Sequence, residues 1–206
     1  MMSRVGMLLV TVMVVLTACQ TPTESTQQNN PKVNNDVSEL NWQVPAFSYT
    51  NQNNEQVTLD DLKGKVWLAD FIFTHCPNIC PPMTANMAKV QETANEKGLD
   101  IQIVSFSVDP KNDTPEVLAA YGKEKQIDFK NWDFLTGYSV EEIQKFGKEA
   151  FKAGISQQPG PSEDIPVLVN HPPQFYLIDQ TGAVVTFYNG LEPDYDKIVQ
   201  DIKALQ

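Results

Sequence analysis

The chain has 206 residues, with 26 acidic and 15 basic side chains and a formal net charge of -11. That length suits one domain with a core of ordinary size. The acidic balance disfavours nucleic acid as a partner, because phosphate backbones are held by surplus Lys and Arg.

The chain opens with one positive charge, Arg4, and an apolar run over residues 6–17. This is the pattern of a secretory signal, too short to span a bilayer comfortably. It ends in Leu16-Thr17-Ala18-Cys19, which resembles a bacterial lipobox. The resemblance implies that residues 1–18 are a lipoprotein signal peptide and that Cys19 becomes the lipid-modified first residue. The expected location is extracytoplasmic, lipid-anchored to the bacterial cell membrane. Residues 19–39 are rich in Gln, Asn, Thr and Pro and read as a flexible tether. Of three cysteines, Cys19 is then consumed by lipid, which leaves Cys76 and Cys80 in an oxidising compartment.

A single domain is expected over residues 40–206. Residues 47–50 and 56–59 bracket a polar turn and predict a β-hairpin. Residues 60–63 predict a short helical turn closed by Gly64. Residues 66–73 are almost continuously apolar, as in a strand buried on both faces, with Asp70 the exception. A helix is predicted over 82–97, with Pro82 at its first position and Gly98 ending it. Met83 and Met87 fall on its apolar stripe, which favours core packing over metal binding. A strand follows over 101–108, then a helix capped by Thr114 with Pro115 first, running to residue 125. Residues 132–135 predict a short strand, and Ser139 to Glu142 has the capping-box pattern of a helix reaching residue 151. Residues 157–166, rich in Pro, Gly and Ser, read as a surface loop. Residues 174–178 and 183–188 predict a hairpin, and residues 194–205 a closing helix. Strands alternating with helices argue for a three-layer α/β domain.

The chemistry concentrates at Cys76-Pro77-Asn78-Ile79-Cys80, between a predicted strand and a predicted helix. The unpaired N–H groups of a helix start favour an anion and lower a thiol pKa. A thiolate is both a nucleophile and a ligand for soft metals, so redox chemistry and metal binding are both open. A structural disulfide is the plain alternative, but closing so short a loop adds little stability.

At these residues the chain resembles a family. As a whole it looks like a thioredoxin-fold protein: a central mixed β-sheet flanked by helices, with an N-terminal β-hairpin. More narrowly it resembles the Sco/SenC family of copper-binding proteins that help assemble cytochrome c oxidase. The resemblance rests on Phe73-Thr74-His75-Cys76-Pro77-Asn78-Ile79-Cys80-Pro81, Ser107-Val108-Asp109-Pro110 followed by Asp113-Thr114-Pro115, Leu135-Thr136-Gly137, and His171 five residues before Tyr176-Leu177-Ile178-Asp179. It implies copper, as Cu(I) and Cu(II), on Cys76, Cys80 and His171. The implied role is a membrane-tethered, monomeric copper chaperone for the dinuclear copper site of cytochrome c oxidase subunit II. The alternative is a thiol–disulfide reductase, in which Cys76 and Cys80 form a reversible disulfide and keep the recipient's cysteines reduced.

Other residues carry weaker readings. His75 neighbours Cys76 but has no assigned direction. Asp70 lies six residues before Cys76, as does the buried acid of thioredoxins. Asp109 is expected at a strand end near the site. Pro173 stands where thioredoxins carry a cis-proline, and its isomer is not legible. A peroxiredoxin is disfavoured, because that chemistry needs an arginine by the thiol and Arg4, the one arginine, lies in the signal.

Overall fold

The computed structural model describes Val33 and residues 36–206. The signal peptide, Cys19 and most of the tether lie outside the described residues. Residues 36–39, placed in the tether from sequence, belong to the fold. The Val37 N–H donates to the Val185 carbonyl at 2.7 Å, and a 3₁₀ turn spans Ser38–Leu40.

The predicted N-terminal hairpin is β1 (Ser48–Asn51) and β2 (Gln56–Thr58), followed by α1 (Leu59–Leu62). Thr58 and Asp61 cap α1 reciprocally. Strand β3 (Val66–Ile72) is buried at all seven positions, as its apolar run requires. Then come α2 (Cys80–Glu96), β4 (Ile101–Ser107), α3 (Pro115–Glu124), β5 (Trp132–Thr136) and α4 (Val140–Phe151). Thr114 and Ser139 cap α3 and α4 with their hydroxyls. After β6 (Ser156–Ser162) and β7 (Ile165–Asn170), the chain ends with β8 (Gln174–Ile178), β9 (Val184–Asn189) and α5 (Tyr195–Leu205).

Seven strands form one mixed sheet in the order β2-β1-β5-β4-β3-β8-β9. Strands β3, β4 and β5 run parallel, and the flanking strands pair antiparallel. Side chains alternate across β3. Trp67, Ala69 and Phe71 join an aromatic core against α4 with Phe106, Phe146 and Phe151. Leu68 and Ile72 join the opposite core with Met83, Met87, Trp132 and Ile198, under α2 and α5. These are the three layers expected of the α/β domain.

Two local readings need correction. Helix α2 starts at Cys80, not Pro82, so both prolines fall inside its first turn. The N–H groups there have no intrahelical partner, so a proline loses nothing in either place. Residues 157–166 are no loop: β6 and β7 form a separate antiparallel ribbon, with Gln158 opposite Leu168 and a bulge between Pro159 and Ser162. A strand with a neighbour on one side only tolerates residues that lack an N–H, which is why Pro159 and Pro161 can sit in β6.

Candidate metal centre

The parallel strands β3 and β4 are in register to their ends, Ile72 opposite Ser107. Their following loops therefore emerge at one edge of the sheet. Strand β8 runs back along β3 with Ala69 opposite Tyr176. Carried on, that register brings residue 171 level with residue 74. The topology thus gathers the cysteine loop, the loop after β4 and His171 in one place.

Cys80 is the first residue of α2 and has no exposed surface; Cys76 is 9% exposed and His171 4%. Both thiols are free. The Cys80 N–H points at Cys76 Sγ at 3.4 Å, and Cys80 Sγ lies 3.9 Å from His171 Nε2. Cys80 is therefore the shared member, with Cys76 on one side and the imidazole on the other. The three are gathered pairwise: among the described residues no group of three His, Cys, Asp or Glu stands as a preformed metal cluster.

The two thiols are electrostatically unequal. Donation from the Cys80 thiol, together with the backbone N–H groups of Asn78, Cys80 and Ile79, brings the Cys76 pKa down to about 6 against its partial burial. The same hydrogen bond, deep burial and the nearby charge of Cys76 push the Cys80 thiol far up. At neutral pH the pair is one thiolate and one thiol. Burial lowers the His171 pKa, so its ring is neutral. Its Nδ1 lies 3.1 Å from the Pro172 carbonyl, which can only accept. That assigns the proton to Nδ1 and leaves the Nε2 lone pair facing Cys80. Phe71 and Phe73 pack on the ring with centroids at 6.3 and 6.5 Å.

The remaining candidates separate. His75 is half-buried, its Nδ1 3.3 Å from Thr74 Oγ1. Asp109 is buried, accepts from Asn112 at 2.8 Å and has its pKa raised by burial, with His75 close enough to offset part of that rise. Asp70 is fully buried, and its Oδ1 accepts from Ser105 at 2.5 Å while Oδ2 has no partner. Burial, partly offset by the Ser105 bond, raises its pKa to about 7. Met83 and Met87 are wholly buried in the core. The described residues contain no cis peptide bond, so Pro173 is trans. One role went unrecognised: Asp113, which in the sequence is part of the Asp113-Thr114-Pro115 stretch that carries the resemblance and opens α3, has no exposed surface and accepts from Thr74 and Ser107. Its sequence signals are its place in that stretch and an acid directly before the Thr-Pro start of α3, where Thr114 already serves as the cap.

Fold and site together define a thioredoxin-like dithiol protein with a neutral histidine set against the second sulfur. A family model described as SCO1/SenC matches residues 36–206, and this chain belongs to that family. The SCO1 protein homolog of Bacillus subtilis (strain 168) is 45% identical over 166 residues, covering 80% of this chain and 83% of its own. Among solved structures, BsSco is described as having a disulfide switch and as a member of the Sco family of cytochrome c oxidase assembly proteins. It is 40% identical with a TM-score of 0.73, covering 84% of this chain and 97% of its own. Arabidopsis thaliana ScoI with copper bound is 30% identical with a TM-score of 0.65, covering 77% and 97%.

Proposed function

We propose that this chain is a copper chaperone, held outside the cytoplasm by a lipid on Cys19, that carries copper on Cys76, Cys80 and His171. Its recipient in this reading is the dinuclear copper site of cytochrome c oxidase subunit II. The observation that carries the reading is the contact of Cys80 Sγ with the neutral Nε2 of His171 at 3.9 Å, with the Cys76 thiolate on the other side. Two sulfur donors suit soft Cu(I), and an added imidazole extends the set toward Cu(II). The copper-bound relative and the Sco family's part in oxidase assembly support it.

The unequal thiols favour a second activity at the same residues. The Cys76 thiolate attacks a recipient disulfide and forms a mixed disulfide, releasing one recipient thiolate. Cys80 then gives up its proton and attacks Cys76 Sγ, which frees the second recipient thiol and leaves a Cys76–Cys80 disulfide. Two electrons pass to the recipient.

Copper titration of the reduced chain from residue 19, with Cys19→Ser, separates the two. The chaperone reading expects one copper per chain. It also expects a thiolate-to-Cu(II) charge-transfer band that is lost in Cys76→Ser and Cys80→Ser and weakened in His171→Ala. Copper affinity indifferent to His171→Ala, with dithiol reductase activity intact, removes His171 from the ligand set and leaves the reductase.

A further inference from the structure

We propose that Asp113 is a positioning residue for the dithiol: it pins Thr74, and through Thr74 the loop bearing Cys76, to the end of β4. The inference rests on the reading of Cys76 and Cys80 as the working pair and adds what holds them at working distance.

The main-chain ladder between β3 and β4 ends just before this loop, where the Val108 N–H donates to the Ile72 carbonyl at 2.8 Å. Beyond that point the Asp113 carboxylate takes the place of a neighbouring strand. Its Oδ1 accepts from the Thr74 hydroxyl at 2.5 Å and the Thr74 N–H at 3.2 Å. Its Oδ2 accepts from the Ser107 hydroxyl at 2.6 Å and lies 3.3 Å from the Thr74 nitrogen. A carboxylate with no exposed surface is tolerated only when hydrogen-bond donors replace its water. Here Thr74 and Ser107 supply them, and burial still raises the Asp113 pKa above its ordinary value.

The mount is itself rigid. The Asp113 N–H donates to the Asp109 carbonyl at 2.9 Å, and Asp113 directly precedes the cap of α3. Ser107 Oγ also accepts from the Asp109 N–H at 3.1 Å, and the Ser107 carbonyl accepts from the Tyr138 hydroxyl at 2.9 Å. At the far end of the loop, Cys80 is fixed in the first turn of α2. The span from Thr74 to Cys80 is therefore held at both ends. Only then do the N–H groups of residues 78–80 stay trained on Cys76 Sγ.

The test uses the reduced chain from residue 19 with Cys19→Ser, as wild type, Asp113→Ala, Asp113→Asn, Thr74→Val and the Thr74→Val/Asp113→Asn pair. Three quantities are measured. The first is the equilibrium in which the dithiol and oxidised glutathione give the Cys76–Cys80 disulfide and two reduced glutathiones. The second is Cu(I) affinity by chelator competition, and the third is Tm by circular dichroism. Asp113→Ala is expected to lower both the disulfide constant and the copper affinity at least tenfold. Asp113→Asn should lose less, since its carbonyl oxygen still accepts from Thr74. The double variant should lose less than the sum of the two single losses, because both changes weaken the same Thr74–Asp113 link. A lower Tm with both constants unchanged, or strictly additive losses, overturns the positioning role. If Asp113→Ala fails to fold, Thr74→Val keeps the side-chain shape and decides the matter alone. A wild-type chain that takes no copper and forms no disulfide sinks the dithiol reading itself, and the positioning role with it.

Discussion

Asp70 has one oxygen bonded to Ser105 and the other facing no donor, inside the core between β3 and α2. Its pKa stands near 7 in the folded chain against an ordinary 3.8, chiefly because burial penalises the charge. The folded state therefore holds this proton more tightly than the unfolded state does. Below about pH 4 both states are protonated and the group contributes nothing. Between about pH 4 and 7 the unfolded chain ionises first, so the contribution to stability falls as pH rises. Above about pH 7 the loss levels off, at roughly 4 kcal/mol for three pKa units. Urea unfolding at several pH values should show that slope in the wild type and a flatter one in Asp70→Asn; equal slopes would rule out Asp70 as the source. The acid itself was legible as the one polar residue in an apolar run. Its partners were not, because they depend on the parallel register that sets Asp70 opposite Ser105. The cysteines and His171 were legible as types and by resemblance. That Cys80 lies between the other two follows from α2 beginning two residues earlier than its prolines suggested.

At the scale of elements, hydrophobic period and capping residues located the five α-helices of the described residues and the strands of the main sheet, but not the 3₁₀ turn over Ser38–Leu40. The β6–β7 ribbon was hidden by Pro159, Gly160 and Pro161, which belong to turns in most contexts. In the folded chain Gly160 has a conformational reason to be there: a Cβ at that position would run into the Ile165 carbonyl oxygen across the ribbon. Backbone cannot yield as a flexible side chain can. Gly160→Ala should therefore open the ribbon. Hydrogen exchange over residues 156–170 should quicken at least tenfold, while Tm changes by only a few degrees, because the ribbon stands apart from the seven-stranded sheet. Unchanged protection would show that the ribbon absorbs a methyl group without separating.

At the scale of the whole molecule, alternation of strands and helices indicated the layers but not the strand order. Pairing of β1 with β5, far apart in sequence, is decided by which edge remains free once β3, β4 and β5 have aligned. The N-terminal segment closes the other end of the structure. Trp42 is 8% exposed, donates from its indole to the Ala150 carbonyl at 2.5 Å and meets Tyr176 edge-on. Removing it deletes a large ring from the aromatic core, so Trp42→Ala should lower unfolding free energy by about 3–5 kcal/mol in denaturant titration. A loss below about 1 kcal/mol would mean that the segment is merely draped over the fold.

That segment also decides how the molecule bears a mechanical load. It is fastened where β9 begins, with the Val184 N–H donating to the Trp42 carbonyl at 2.8 Å and the Val44 N–H to the Gly182 carbonyl at 3.0 Å. The Gly64 N–H joins the same corner through the Gln180 carbonyl, at the start of β3, whereas the dithiol follows the end of β3. Seven residues of extended strand separate the two ends, roughly 23 Å at 3.3 Å per residue. A pull arriving along the N-terminal chain is thus taken up at the far corner of the sheet. The geometry around Cys76 and Cys80 stays outside the line of force.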